Sequence, residues 1–398
     1  MSVFGSHGSH GSHGSHGSHG SHGSHGSHGS HGSHGSHGSH GSHSGGTSPL
    51  LASALGQTAE ALMGYWDGTV PVPTIATADE LTRLMRLAPF PRASVLAHEA
   101  MSLFTIRPGA RSSHVVRTES DLISLTPPDA GKIAEQMAEL RSAMDLRADR
   151  LPEIIAQSAG FLEFFTAQNP IGINRRPFSV HLITALHDAV IAQEQRLKHL
   201  CSVPRPVDLS PQIQPLIETP GHSAYPSGHA TEAFAIATIF AALRMSAAGT
   251  PDANLIDSIL GKLTPVVEAA PDTDPIILLY RLAARIADNR TVAGVHYPVD
   301  SAHGALLGLA VALAFVSHCL GGGLDRAVPE WAANGNDWPG DFSLRKWCAA
   351  LDGSGQQGWR TGTATLAKAE GWHVLPQLWR AAVAEWGHPR APAQVAIA

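Results

Sequence analysis

The sequence predicts a mainly α protein behind a disordered tail. Three observations carry this. Apolar residues recur at helical spacing from residue 50 to residue 320, no run of alternating β-branched residues competes with them, and residues 5–43 are thirteen copies of Gly-Ser-His. The repeat cannot bury a core, so residues 1–46 are expected to form a disordered segment. Its imidazoles would hold nickel, zinc or copper loosely, and the segment is set aside from the chemistry.

The elements follow in order. Leu51, Leu55, Ala59, Leu62 and Met63 form an apolar stripe before Trp66, and Pro71-Val72-Pro73 marks a loop. A helix is expected over 77–87, with Thr77 or Asp79 near its cap. Residues 88–126 are less regular, and Val115-Val116 reads as a short extended piece. Asp129 caps a helix to about residue 146, and Leu151-Pro152 opens another to about residue 168. Pro177 starts a long helix whose buried face is Leu182, Ile183, Leu186, Ala189, Val190 and Leu197, with Lys198 in its last turn. A Pro-rich loop, 204–226, leads into a helix over 230–245. Helices resume through 279–286, and the last runs from 298 to 320 before Gly321-Gly322-Gly323. Residues 47–323 form the expected helical catalytic domain. Residues 324–398 carry seven of the eight tryptophans and are expected to pack back onto it, a subunit interface and homo-oligomer being the alternative.

The totals exclude some classes. A net charge of −6 argues against a nucleic-acid partner. Cys201, Cys319 and Cys348 are odd in number and far apart, so no disulfide framework is expected. No secretory signal opens the chain, which points to a cytoplasmic protein. Of the two most apolar stretches, 233–243 is too short to span a bilayer and 304–320 is marginal and holds His318, so no transmembrane segment is expected.

Three short blocks carry chemistry. The first is Lys198 followed by Arg205-Pro206. The second is Tyr225-Pro226-Ser227-Gly228-His229-Ala230. The third is Arg290, His296 and Asp300. A tetrahedral oxyanion needs fixed cations and donors. Arg205 and Arg290 can each fork onto two oxygens, and Lys198 adds a point charge. Ser227 offers a hydroxyl, Gly228 lets the backbone approach, and the helix opening at Ala230 turns its N-terminus to the anion. Asp300 stands one turn after His296, where it can hold Nδ1–H and leave Nε2 free to attack or ligate. His229 is the proton carrier on the opposite side. His296, His229 and Asp300 are therefore the catalytic candidates.

This set of blocks, in this order across 198–304, resembles the type 2 phosphatidic acid phosphatase and vanadium haloperoxidase superfamily. The resemblance implies a helical bundle of the haloperoxidase and acid phosphatase type, with Lys198, Arg205, Ser227, Gly228 and Arg290 around the oxyanion. It also implies that His296 is the phosphatase nucleophile or the protein ligand of vanadium. Asn289 departs from the family's usual serine at a position read as peripheral.

Two enzymes share that site. A haloperoxidase would hold vanadate as cofactor and use hydrogen peroxide to oxidise bromide or iodide. A soluble acid phosphatase would need no cofactor and pass through a phosphohistidine on a phosphoester. A non-catalytic protein binding small anions is the third reading. The expected lack of membrane helices, the long chain ahead of the blocks and the 60 residues between His229 and Arg290 favour the haloperoxidase. So does His222, seven residues before His229, a halide-pocket candidate where bromide-oxidising members look similar. The run Gly294-Val295-His296-Tyr297-Pro298-Val299-Asp300 looks like the phosphatase version. Elsewhere, His187, Asp188 and Glu194 read as a solvated helix face, His199 as pointing away, His303 as a polar helix position, Arg175 and Arg176 as surface cations, and Tyr225 as packing.

Overall fold

Helix starts in the computed structural model are set by short polar side chains and prolines, as the sequence leads one to expect. The structure describes residues 49–61, 68–70, 79–109, 113–264, 273–322, 327–352 and 358–387. The Gly-Ser-His repeat, Trp66, Thr77, the loop at 71–73 and Gly323 lie outside them. The described residues fall into two compact units, one up to Val95 and one from Leu96.

In the first unit, α1 (Pro49–Ala61) leaves Leu50, Leu51 and Leu55 exposed. Helix α2 (Glu80–Met85) is capped by Asp79, whose carboxylate accepts from the Thr82 N–H at 2.9 Å. Helix α3 (Pro89–Ser102) contains the boundary between the units.

The second unit begins with strands β1 (Thr105–Pro108), β2 (His114–Arg117) and β3 (Asp121–Thr126). Helices α4 (Ala130–Ala143), α5 (Arg147–Ala159), α6 (Leu162–Gln168), α7 (Pro177–Cys201), α8 (Pro206–Leu209), α9 (Gly228–Ala247), α10 (Leu255–Leu263), α11 (Pro275–Val292) and α12 (Pro298–Cys319) follow. The described chain ends with β4 (Val328–Asn334), α13 (Leu344–Asp352), β5 (Arg360–Ala364) and α14 (Leu375–Ala384). Asp129 caps α4 through the Lys132 N–H, Pro177 is the first residue of α7, and Asp274 caps α11 through the N–H groups of Ile276 and Ile277.

Helix α12 is the hub, every residue of it buried, and its broadest packing is on α9. Glycine makes this close crossing possible. A Cβ on Gly308 would lie 2.0 Å from the Thr231 carbonyl oxygen, and one on Gly304 would lie 2.5 Å from that of Ser227. Helices α7 and α11 flank α9, so the four bring the ends that carry the three sequence blocks into one bundle. The mainly α class holds.

The structure corrects several expectations. A five-stranded sheet in the order β1-β2-β3-β4-β5 was foreseen only at Val115-Val116, which lie in β2. Its strands are short; β1, β2 and β3 pair as local antiparallel neighbours, whereas the β3–β4 pairing is parallel, joins Ile123 to Trp331 and is announced by no local hairpin pattern. Helix α5 starts at Arg147 rather than Leu151, takes Pro152 into its second turn and stops at Gly160, so the segment to residue 168 is two helices. The expectation of no transmembrane segment is also overturned. Helices α9 and α12, of 20 and 22 residues, are each long and apolar enough to cross a membrane, and in this structure both are largely packed inside the protein. Counting only the unbroken apolar run left out the alanines, glycines and small polar residues that complete each span.

Most of the C-terminal tryptophans pack against other rings of this unit. The Trp347 ring lies 4.6 Å from that of Phe234 on α9, and its Nε1–H donates to the Ala302 carbonyl on α12 at 3.0 Å. Trp338 stacks on Trp359 at 5.5 Å, whereas Trp372 is exposed.

Candidate active site

Three helix ends and one cap converge. Helix α7 brings Lys198 in its last turn, the N-cap of α8 is Arg205, α9 opens with Ser227, Gly228 and His229, and α11 ends with Arg290. Helix α12 opens directly after His296. Its third residue, Asp300, accepts from the Tyr297 N–H at 2.9 Å, which closes the first turn. The Ser227 N–H donates to the Asp300 carbonyl at 3.0 Å, fastening the start of α9 to the start of α12.

Each imidazole is oriented by a neighbouring oxygen. His296 Nδ1 stands 3.1 Å from Asp300 Oδ2, an acceptor that assigns the ring proton to Nδ1. The Nε2 lone pair then accepts from Arg205 Nη1 at 3.1 Å. Burial and the charges of Arg205 and Lys198 hold the His296 pKa well below the usual histidine value, so the ring is neutral. His229 Nε2 is 3.3 Å from the Gln157 carbonyl, which assigns its proton to Nε2 and leaves the Nδ1 lone pair free of that proton. Burial and Arg290 lower the His229 pKa to about 4. Burial raises Asp300 to about 7 against the opposing Tyr297 N–H, Arg205 and Lys198.

The cations are buried and largely held by carbonyls. Lys198 donates to the Pro226 carbonyl, and burial lowers its pKa to about 8. Arg205 uses Nη1 on the Val295 carbonyl at 2.7 Å, Nε on the His222 carbonyl at 2.9 Å and Nη2 on His222 Nδ1 at 3.0 Å. Arg290 reaches α5 instead, with Nη2 3.2 Å from Gln157 Oε1 and 3.4 Å from the Ile154 carbonyl. Two buried donors are left over: Ser227 Oγ and Arg290 Nε have no partner among the described residues. Ser227 caps α9 without using its hydroxyl. Unpaired buried donors beside a helix N-terminus and three cations are what a tetrahedral oxyanion would satisfy.

Several residues at this site were missed or misread. Gln157 has no motif, yet its side-chain oxygen accepts from Arg290 and from Asn289 Nδ2 (2.9 Å), while its backbone holds His229. Asn289 is therefore not peripheral: it is fully buried and ties Gln157 and Glu153 to α11. Glu194 is not on a solvated face. It is 2% exposed beside Lys198, and burial together with Glu232 raises its pKa to about 8. Glu232 in turn pairs with His187. His303 is buried and accepts from or donates to the Tyr225 hydroxyl at 2.7 Å, so Tyr225 is anchored to α12. Arg176 stacks on Trp386 at 4.0 Å, while Arg175 and His199 are exposed.

Two expected outcomes arise here. A Cβ on Gly228 would meet the Glu194 carboxylate oxygens at 2.7 and 3.0 Å. Gly228→Ala is expected to destabilise the fold by about 1–3 kcal/mol, and Glu194→Ala to relieve it. Urea unfolding of the two single variants and the double variant measures the coupling, and strict additivity would contradict this contact. For His303, burial lowers the pKa to about 3, so only the unfolded chain takes its proton between the ordinary histidine value and that point. Its contribution is present above about pH 6.5 and is lost as pH falls, by about 1.4 kcal/mol per pH unit. His303→Gln should flatten the acid limb of stability by that slope, and an unaltered limb would contradict it.

A family model described as the PAP2 superfamily matches residues 178–320, from the first turn of α7 to just past α12. That segment, about a third of the chain, is similar to the PAP2 superfamily and contains Lys198, Arg205, Ser227, Gly228, His229, Arg290, His296 and Asp300. No curated protein matches the chain.

Proposed function

We propose that the protein is a vanadate-dependent haloperoxidase that oxidises bromide or iodide with hydrogen peroxide. The observation that supports this reading best is the hold of Arg205 on His222. One guanidinium joins that exposed loop histidine, at 3.0 Å, to the lone pair of His296, at 3.1 Å. Burial and the charges of Lys198 and Arg205 lower the His222 pKa to about 4, so a neutral imidazole stands at the rim of the site. The lean toward a haloperoxidase that rested on missing membrane helices falls away, since α9 and α12 meet that length and apolarity.

The residues fit vanadate on three counts. His296 Nε2 offers a lone pair, Ser227 Oγ and Arg290 Nε offer unmatched donors, and Lys198, Arg205 and Arg290 offset the charge. When bound, vanadate supplies the Lewis acidity that activates hydrogen peroxide toward halide. The protein's own part is positioning and proton transfer. Asp300 holds the His296 tautomer, and the Gln157 carbonyl holds that of His229. His229 Nδ1 then takes a proton from the incoming peroxide and returns it to the departing oxygen.

The run from Gly294 to Asp300 supports a second reading as a phosphoester hydrolase. There His296 Nε2 attacks phosphorus and the alcohol leaves with a proton delivered by His229. Water, losing its proton to His229, then cleaves the phosphohistidine. Both readings are tested on one preparation. The protein is incubated with vanadate, peroxide and bromide plus a halogen-trapping dye, and separately with p-nitrophenyl phosphate. Vanadate-dependent halogenation is the expected result. Phosphate release that vanadate inhibits, without halogenation, would replace the first reading by the second.

A further inference from the structure

Away from the oxyanion site, three side chains with metal-binding atoms meet where α3, the end of α12 and the approach to α14 come together. They are Glu99, His318 and His373, and one ligand atom from each lies within 4.8 Å of the other two. The chemistry described above uses none of them.

Glu99 is already well oriented. Its Oε2 accepts from the Val374 N–H at 2.8 Å and its Oε1 from the Leu375 N–H at 3.1 Å, at the start of α14. Backbone donors of this kind fix a carboxylate ligand while leaving lone pairs on both oxygens. His318 Nε2 is 3.2 Å from Glu99 Oε1. That separation suits a hydrogen bond, and it also suits two ligands of one tetrahedral zinc, which sit about 3.3 Å apart when each bond is about 2.0–2.1 Å. The other nitrogen of His318, Nδ1, has no partner among the described residues although the ring is 2% exposed. Nε2 therefore carries the ligand role, with Nδ1 keeping the ring proton when the metal binds.

His373 completes the group. Its ring stands edge-on to that of His318, with centroids 5.0 Å apart, and it is half-exposed, so an ion and a water can reach it. Its Nδ1 accepts from the Glu370 N–H at 2.7 Å, which leaves Nε2 for a ligand. Ligation through Nε2 moves the ring proton to Nδ1 and exchanges the Glu370 bond for water, which is at hand at a half-exposed position.

We propose that Glu99, His318 and His373 form a divalent-cation site of the zinc class that fastens the C-terminal segment to the helical core. Two imidazoles and one carboxylate are a zinc donor set, and three protein ligands leave a fourth position for water. Helix α14, which the site would pin, packs on α7 and α12.

The test is thermal unfolding of the full chain, stripped with a chelator and then supplied with zinc. Because the imidazoles of the Gly-Ser-His repeat would take up metal equally in every variant, the reading is the difference between variants. With zinc at about one hundred times its dissociation constant, the wild type is expected to gain about 5 °C over His373→Ala. His373→Gln, whose side-chain oxygen can still accept the Glu370 N–H, should lose the gain as well. That separates loss of a ligand from loss of the hydrogen bond. Cobalt(II) should give the intense visible bands of a tetrahedral site in the wild type alone. Equal zinc responses in the wild type and both variants, or none in the wild type, would overturn the proposal.

Discussion

Replacing His296 with alanine is expected to lower turnover at least about 10³-fold in whichever of the two assays the wild type supports. The cause is local. Its Nε2 lone pair faces the cations, held there by Asp300 on the far side of the ring and met by Arg205 at 3.1 Å. The ring is kept neutral by burial and by the cations around it, so alanine removes a nucleophile or ligand and leaves the charges in place. Asp300 keeps its bond from the Tyr297 N–H, so the first turn of α12 should survive. Steady-state rates beside a melting curve check both halves. Activity within tenfold of wild type would refute the role.

The second large effect is expected from Arg205→Lys, about 10²–10³-fold in kcat/KM. A charge-conserving change would be mild if Arg205 were only a cation. It is more than that. Its three nitrogens reach the Val295 carbonyl, the His222 carbonyl and ring, and His296, four partners that one ammonium cannot span. Lysine keeps the charge, loses the fork and releases the His222 loop. A rise in the KM for halide larger than the fall in kcat would mark that loop as part of the halide pocket. A variant as active as the wild type would reduce Arg205 to a point charge.

The contrast between Arg205 and Gln157 explains how much of the site was legible. Lys198, Arg205, Ser227, His229, Arg290, His296 and Asp300 stand in three blocks whose internal spacing is set by helix turns and by one tight loop. The i, i+4 step from His296 to Asp300 is readable because a helix start converts it into a contact. Gln157 meets Arg290 and His229 only because α5 packs on α11, and nothing local in α5 records that. Glu194 misled for a related reason. Acidic residues on a helix usually face water, yet here the face is covered by α9. The same limit applies to the fold. Helices α4, α7 and α12 declared themselves through caps and prolines, whereas β3 finds its parallel partner some two hundred residues away.

The central claim is that one small tetrahedral anion is held by donors from α7, α8, α9 and α11 together. Calorimetric titration of the full chain with orthovanadate, without peroxide, tests it most directly, using Arg290→Met as the comparison. Arg290 is 1% exposed, and methionine fills much of its volume without its charge or donors. One anion per chain is predicted for the wild type, with affinity at least about 100-fold weaker in the variant. Equal vanadate binding by the two proteins, or no binding by the wild type, would contradict it.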